Sequence, residues 1–177
     1  MKIAVVGSEG TGRTLLATGI SEALNLPLLP SLRESLLQKS GYHTLFEWVA
    51  AGHHWSELLV EQAAREAKLD VGIVDNGVLD LCCAVQRWGW SELSPDRFEA
   101  LRKTVIERAR SYDHIFVTPS RIVAGHLGAR FRSQSHNLQI ARLLDALLAE
   151  AGLAQRAHNI VDGTIEQRLD QALAALR

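Results

Sequence analysis

The chain has 177 residues, 47% of them hydrophobic and 22% charged, with 19 Lys and Arg against 20 Asp and Glu. That balance excludes a disordered, collagen-like or disulfide-scaffold polypeptide and fits one soluble globular domain, long enough to bury a core without a metal or disulfide staple. A net charge of −1 supplies no global basic field, so neither nucleic acid nor an anionic membrane is an expected partner.

Strand-like runs alternate with helical patterns along the whole length, which predicts an α/β fold with a mostly parallel sheet. The first strand is expected at residues 2–6, followed by a helix over 14–24, a short strand at 26–29 and a helix over 31–38. Residues 44–69 read as helical with a break near Gly52, and lead into the buried run Val71-Gly72-Ile73-Val74, a central strand ending at Asp75. A helix is expected over 79–88, and another from Ser94-Pro95 to about Arg110, because serine caps a helix and proline at its first position has φ preset. A strand over 112–118, a helix over 138–151 closed by Gly152, a strand at 159–161 and a helix over 164–176 complete five strands with interleaved helices. The apolar start breaks at Gly7, too early for a secretory signal, and no apolar run nears the roughly 18 residues of a membrane span, so a cytoplasmic location is expected. Cys82 and Cys83 are adjacent in an apolar segment and read as buried thiols.

The strongest chemical signal is Gly7-Ser8-Glu9-Gly10-Thr11-Gly12-Arg13-Thr14, with the spacing GxxxxGK[ST] of a phosphate-binding loop and arginine in place of lysine. A buried strand delivers the chain into a glycine-rich turn and a helix begins at once, so backbone N–H groups and the positive helix end converge where a phosphate would sit. Gly7, Gly10 and Gly12 permit positive φ, and Thr14 offers a hydroxyl for Mg²⁺. The alternative is a tight strand-to-helix turn that merely uses glycine. Arginine keeps the lysine's charge but is a planar fork rather than a compact point charge.

In an open parallel sheet, ligands bind beyond the C-terminal strand ends, which puts Asp75 beside this loop as a metal-water ligand or a general base. A capping aspartate for the next helix is the alternative. Arg33 and Glu34 follow the second strand on the same side, where they bind an acceptor or form a surface ion pair. Between Asp113 and Asp145 there is no acid, while Arg121, Arg130, Arg132 and Arg142 occur there. With Gly125 and Gly128, the segment at about 120–136 reads as a lid that folds arginines over phosphate, or as a solvated basic loop. The seven histidines show no zinc spacing. Trp48, Trp55, Trp88 and Trp90 read as core, with Trp88 or Trp90 the candidates to stack on a ligand ring.

Taken together, these residues resemble small P-loop kinases of the nicotinamide-riboside kinase type and the AAA-like ATPases allied to them. The similarity runs in order through the phosphate loop, Arg33-Glu34, Asp75, Tyr112-Asp113, Gly128-Ala129-Arg130, and Gly163-Thr164 followed by Arg168. It implies a three-layer P-loop NTPase fold, with a five-stranded parallel sheet in the order 2-3-1-4-5, as a single nucleotide-binding domain over residues 1–177. It also implies ATP phosphates held by Gly7, Gly10, Thr11, Gly12, Arg13, Thr14 and Leu15, adenine bordered by Gly163 and Thr164, and Mg²⁺ at Thr14 and Asp75. Arg33, Glu34 and Asp75 would meet the acceptor, and Arg13, Asp75, Arg130 and Arg132 would serve transfer. Three positions depart from the family pattern: Arg13 for lysine, Gly77 for a second acid, and His126-Leu127 for acids before the lid glycine. The expected function is transfer of the ATP γ-phosphoryl group to a nucleoside-like or ribosyl acceptor. The alternative is a nucleotide-binding regulator or NTPase with degenerate transfer chemistry.

Overall fold

The computed structural model describes residues 1–89, 93–120 and 134–177. Five parallel strands, β1 (Lys2–Val6), β2 (Leu28–Leu29), β3 (Gly72–Asp75), β4 (His114–Val117) and β5 (Ala157–Asn159), form one sheet in the order β2-β3-β1-β4-β5. The register sets Ile3 beside Ile73 and His114, and Val5 beside Asp75 and Phe116. β1 is central and buried along its whole length, as expected for a strand covered on both faces.

The period of two splits the core. Ile3, Val5, Ile73 and Phe116 face Leu16 and Ile20 of α1 (Arg13–Leu24) and Ala172 of α8 (Ile165–Ala174). Ala4, Val6, Val74 and Ile115 face the larger cluster built by α2 (Leu32–Ser40), α3 (Leu45–Ala50), α4 (Trp55–Ala67), α5 (Val78–Ala84), α6 (Pro95–Ala109) and α7 (Gln134–Glu150). The three-layer arrangement and the strand order are those the resemblance implied. Among the described residues, no helix is long and apolar enough to cross a membrane.

Several helix starts follow their sequence signals. Ser94 accepts from the Arg97 amide ahead of Pro95, and Thr164 forms a capping box with Gln167. The 44–69 stretch divides as expected near Gly52, with Thr44 and Glu47 forming a second capping box that starts α3. A π-helical turn, Val85–Gly89, extends α5 and carries Trp88 toward the phosphate-loop side of the sheet. Two strands differ from expectation. β2 is only two residues long, and β5 lies at Ala157–Asn159 rather than 159–161. The Arg156 guanidinium donates to the carbonyls of Arg110 and Tyr112, both at 2.9 Å, and pins the chain so that Ala157 pairs with Ile115. Cys82 and Cys83 are free and buried, and burial pushes the Cys82 thiol up to about 11.

Candidate functional site at the phosphate loop

β1 pairs with β3 on one side and β4 on the other, so crossovers diverge at its C-terminal end and leave a crevice there. The chain leaves β1 through Gly7, whose φ of 143° lies outside the usual range of L residues and where a Cβ would come within 2.1 Å of the Thr118 hydroxyl. Gly10 and Gly12 have φ of 75° and 83°, and Gly12 is the N-cap of α1 without a side-chain cap. The loop is held from outside. Thr11 Oγ1 donates to the Ser8 carbonyl at 2.7 Å and lies 2.8 Å from the Thr118 hydroxyl, while Asn137 Nδ2 of α7 donates to the Glu9 carbonyl at 3.3 Å. Ser8 Oγ donates to the Asn137 carbonyl at 3.1 Å.

With its shape fixed this way, the loop keeps its own donors. The amides of Gly10, Thr11, Gly12, Arg13 and Thr14 have no acceptor among the described residues. Five such N–H groups in succession at a helix N-terminus are a donor set for an anion. Leu15 is exposed on the first turn of α1.

Arg13 does not extend into solvent. Its Nε donates to Asp75 Oδ1 at 3.0 Å, and its Nη1 donates to the Gly7 carbonyl at 2.6 Å and to Asp80 Oδ1 at 3.2 Å. Desolvation pulls the guanidinium pKa down, but Asp80 and Asp75 outweigh it and raise it. Nη2 meets no acceptor among the described residues. Thr14 Oγ1 donates to Asp75 Oδ2 at 2.9 Å. Asp75 therefore does not cap α5. Its two oxygens go to Arg13 and Thr14, and the α5 N-terminus is served by Glu66, whose carboxylate accepts from the Val78 amide at 2.9 Å.

Glu66 also explains Gly77. The carboxylate is buried between the Gln62 amide and the Tyr112 hydroxyl, both donating to it, and burial raises its pKa. A Cβ at position 77 would stand 2.9 Å from Glu66 Oε1, the Tyr112 hydroxyl oxygen and Val74 Cγ1, so no acid fits where the family pattern has one. Asn76 turns the chain with φ of 56°, and its Nδ2 donates to Ser31 Oγ at 2.9 Å.

Beside the loop lies a half-open pocket. Glu9, Arg13 and Asp80 line one end, and Trp55, Trp88 and His136 another. The Trp55 and Trp88 rings stack at 5.4 Å, and Trp88 and His136 at 5.0 Å. Gly89 makes room for this, since a Cβ there would fall 2.9 Å from Trp55 Cβ. Arg33 reaches the cavity from α2 and pairs with Glu9. Glu34 is in the first turn of α2, and its side chain lies outside the described residues, as do Arg121, Arg130, Arg132 and Trp90. Arg142 is in α7, within the helix expected over 138–151. Gly163 and Thr164 sit on the other flank, where the buried Arg168 donates to the carbonyls of Thr11 at 2.6 Å and Gly163 at 3.0 Å and to Asp162 Oδ1 at 2.6 Å. The Thr164 hydroxyl is used as the α8 cap.

Sequence reasoning missed Asp80, which is 8% exposed. Its Oδ1 accepts from the Gly7 amide at 2.8 Å as well as from Arg13, and its Oδ2 has no partner among the described residues. The available signal was a single acid inside the apolar helix Val-Leu-Asp-Leu-Cys-Cys-Ala, where burial demands a partner. Asn137, fully buried at the start of α7, carried no comparable signal.

Solved structures with this fold include the NadR protein in complex with NR, at 19% identity and a TM-score of 0.71, matching 99% of this chain and 50% of that one. Deoxyadenosine kinase from M. mycoides with bound dATP follows at 14% identity and a TM-score of 0.60, over 99% of each chain. Shikimate kinase from Acinetobacter baumannii with shikimate has 15% identity and a TM-score of 0.55, over 99% of this chain and 90% of that one. The chain thus spans about half the length of the NadR chain it matches. No curated protein matches by sequence. The family model for the AAA domain matches residues 2–168, nearly the whole chain, and with the glycine loop at the crevice of a 2-3-1-4-5 sheet the protein belongs to the AAA-domain family of P-loop proteins.

Proposed function

We propose that the protein binds Mg·ATP at the loop of residues 7–14 and transfers the γ-phosphoryl group to a hydroxyl of a small nucleoside-like or ribosyl acceptor held in the adjacent cavity. The observation that carries this reading is the set of five amides, from Gly10 to Thr14, that meet no acceptor among the described residues, in a loop whose Gly7, Ser8, Glu9 and Arg13 line a pocket with aromatic rings. The residues suit the ligand. Amides and the α1 dipole bind phosphate oxygens, and Arg13 Nη2 adds a charged donor. The Thr14 hydroxyl and Asp75 carboxylate are paired hard oxygen donors suited to Mg²⁺, which when bound neutralises charge on the phosphate chain. Gly163 and Thr164, tied to the loop through Arg168, would border the adenine. The stacked Trp55, Trp88 and His136 rings would give the acceptor an apolar wall, and Arg33 and Asn76 would meet its polar groups. Two of the structural neighbours are named as kinases of small molecules, which supports the reaction class.

A second reading, a nucleotide-binding regulator without transfer, is favoured by one observation. Asp75, the expected base, has one oxygen on Arg13 and the other on Thr14. A single experiment separates the two. Saturating Mg·ATP at about 100 times its Kd adds about 2.7 kcal/mol of stability, which raises the Tm by roughly 5–10 °C. ADP release is then measured with a panel of nucleosides, nicotinamide riboside and nucleoside monophosphates. Release that depends on one acceptor supports the kinase. A Tm shift with no acceptor-dependent release selects the regulator, and no shift rejects both.

A further inference from the structure

The phosphate-loop position that carries lysine in the motif carries arginine here, and the structure places beside it a carboxylate that the motif does not contain. We propose that Asp80 is the positioning residue that makes arginine workable at position 13, holding the guanidinium by Nη1 so that Nη2 is left for phosphate. This rests on the proposed nucleotide binding only for its second half.

Three observations carry it. Asp80 Oδ1 is shared between two donors of the loop, the Gly7 amide at 2.8 Å and Arg13 Nη1 at 3.2 Å, so one buried oxygen fixes both the entry of the loop and the side chain that follows it. Arg13 is anchored at three acceptors by only two of its nitrogens, Nε on Asp75 and Nη1 on the Gly7 carbonyl and Asp80, an arrangement a planar fork can make and a single ammonium cannot reproduce with the same geometry. The pair is out of water, with Arg13 and Asp80 side chains 12% and 5% exposed, so each charge depends on the other. A guanidinium without Asp80 would keep Asp75 and the Gly7 carbonyl but lose the one carboxylate that pairs with its far end. Asp80 is thus matched to arginine specifically, not to a cation in general.

The test is the effect of Asp80→Asn in different backgrounds. Without nucleotide, the Tm change caused by Asp80→Asn is compared in the native protein and in Arg13→Met. With the guanidinium gone, Asp80 is a buried charge that has lost its main cation. Its neutralisation is therefore expected to be more favourable in Arg13→Met than in the native protein, by about 4 °C or more. The same shift in both backgrounds would mean that Asp80 acts only through the Gly7 amide and would overturn the proposal. If Arg13→Met does not fold alone, recovery of folding by adding Asp80→Asn is the expected result, and failure to recover overturns it. Calorimetry of Mg·ATP gives the second half. Asp80→Asn is expected to weaken binding about tenfold when residue 13 is arginine and by less than about threefold in Arg13→Lys, and equal losses in both overturn the positioning role. If the native protein binds no Mg·ATP, the proposed function fails while the Tm comparison still decides whether Asp80 and Arg13 are coupled.

Discussion

Burial lifts the Asp80 carboxyl from the ordinary 3.8 to about 6, against the downward pull of Arg13 and the Gly7 amide and with a further upward push from Asp75. The folded-state pKa is therefore above the unfolded one. The stability this group contributes is full below about pH 4 and is lost as pH rises through about 6. Relative to Asp80→Asn, the native protein should gain up to about 3 kcal/mol of unfolding free energy between pH 7 and pH 4. Urea melts of both proteins across that range check it, and parallel curves would show that Asp80 titrates as an ordinary surface carboxylate. At this scale the sequence was partly legible. The glycines, Thr14 and Asp75 could be found because spacing and strand ends fix them. Asp80 and Glu66 could not, because their roles come from packing of α5 against the loop and of α4 against Tyr112 ahead of β4, contacts between residues far apart in the chain.

Between elements, the most consequential link is Arg168, which joins α8 to the phosphate loop. It is 2% exposed and gives one donor each to Thr11, Gly163 and Asp162, so it ties the turn before α8 to the loop. Lysine offers one ammonium in place of this fork and leaves buried carbonyls unsatisfied. Arg168→Lys is expected to lower the unfolding free energy by about 2 kcal/mol, measured by chemical denaturation, and a change under about 0.5 kcal/mol would show that the link contributes little. The elements most readable from sequence were those whose signals are local: the apolar runs of β1 and β3, the Ser94-Pro95 start of α6 and the Thr164 start of α8. β5 was displaced by two residues because a tertiary contact, Arg156 on the carbonyls of Arg110 and Tyr112, sets its register. The two-residue β2, which pairs only with β3, has too few residues for a period to register.

For the molecule as a whole, two apolar layers clamp a parallel sheet from both faces, and the one place where strand connections diverge is where the glycine loop emerges. The scaffold therefore fixes the loop's backbone while Thr118, Asn137 and Arg168 hold it from three different elements or turns. Binding of phosphate should need little rearrangement of the backbone, because these contacts already hold the loop. The general architecture was readable because alternation of strands and helices admits few topologies, whereas the cavity with its Trp55, Trp88 and His136 stack depends on three separated segments meeting. The most direct test follows backbone amide resonances in ¹⁵N-labelled protein as Mg·ATP is added. The largest shifts should fall on Gly10, Thr11, Gly12, Arg13 and Thr14 and saturate together. Resonances at these five positions that stay fixed at saturating nucleotide, or shifts centred on another surface, would contradict phosphate binding by this loop.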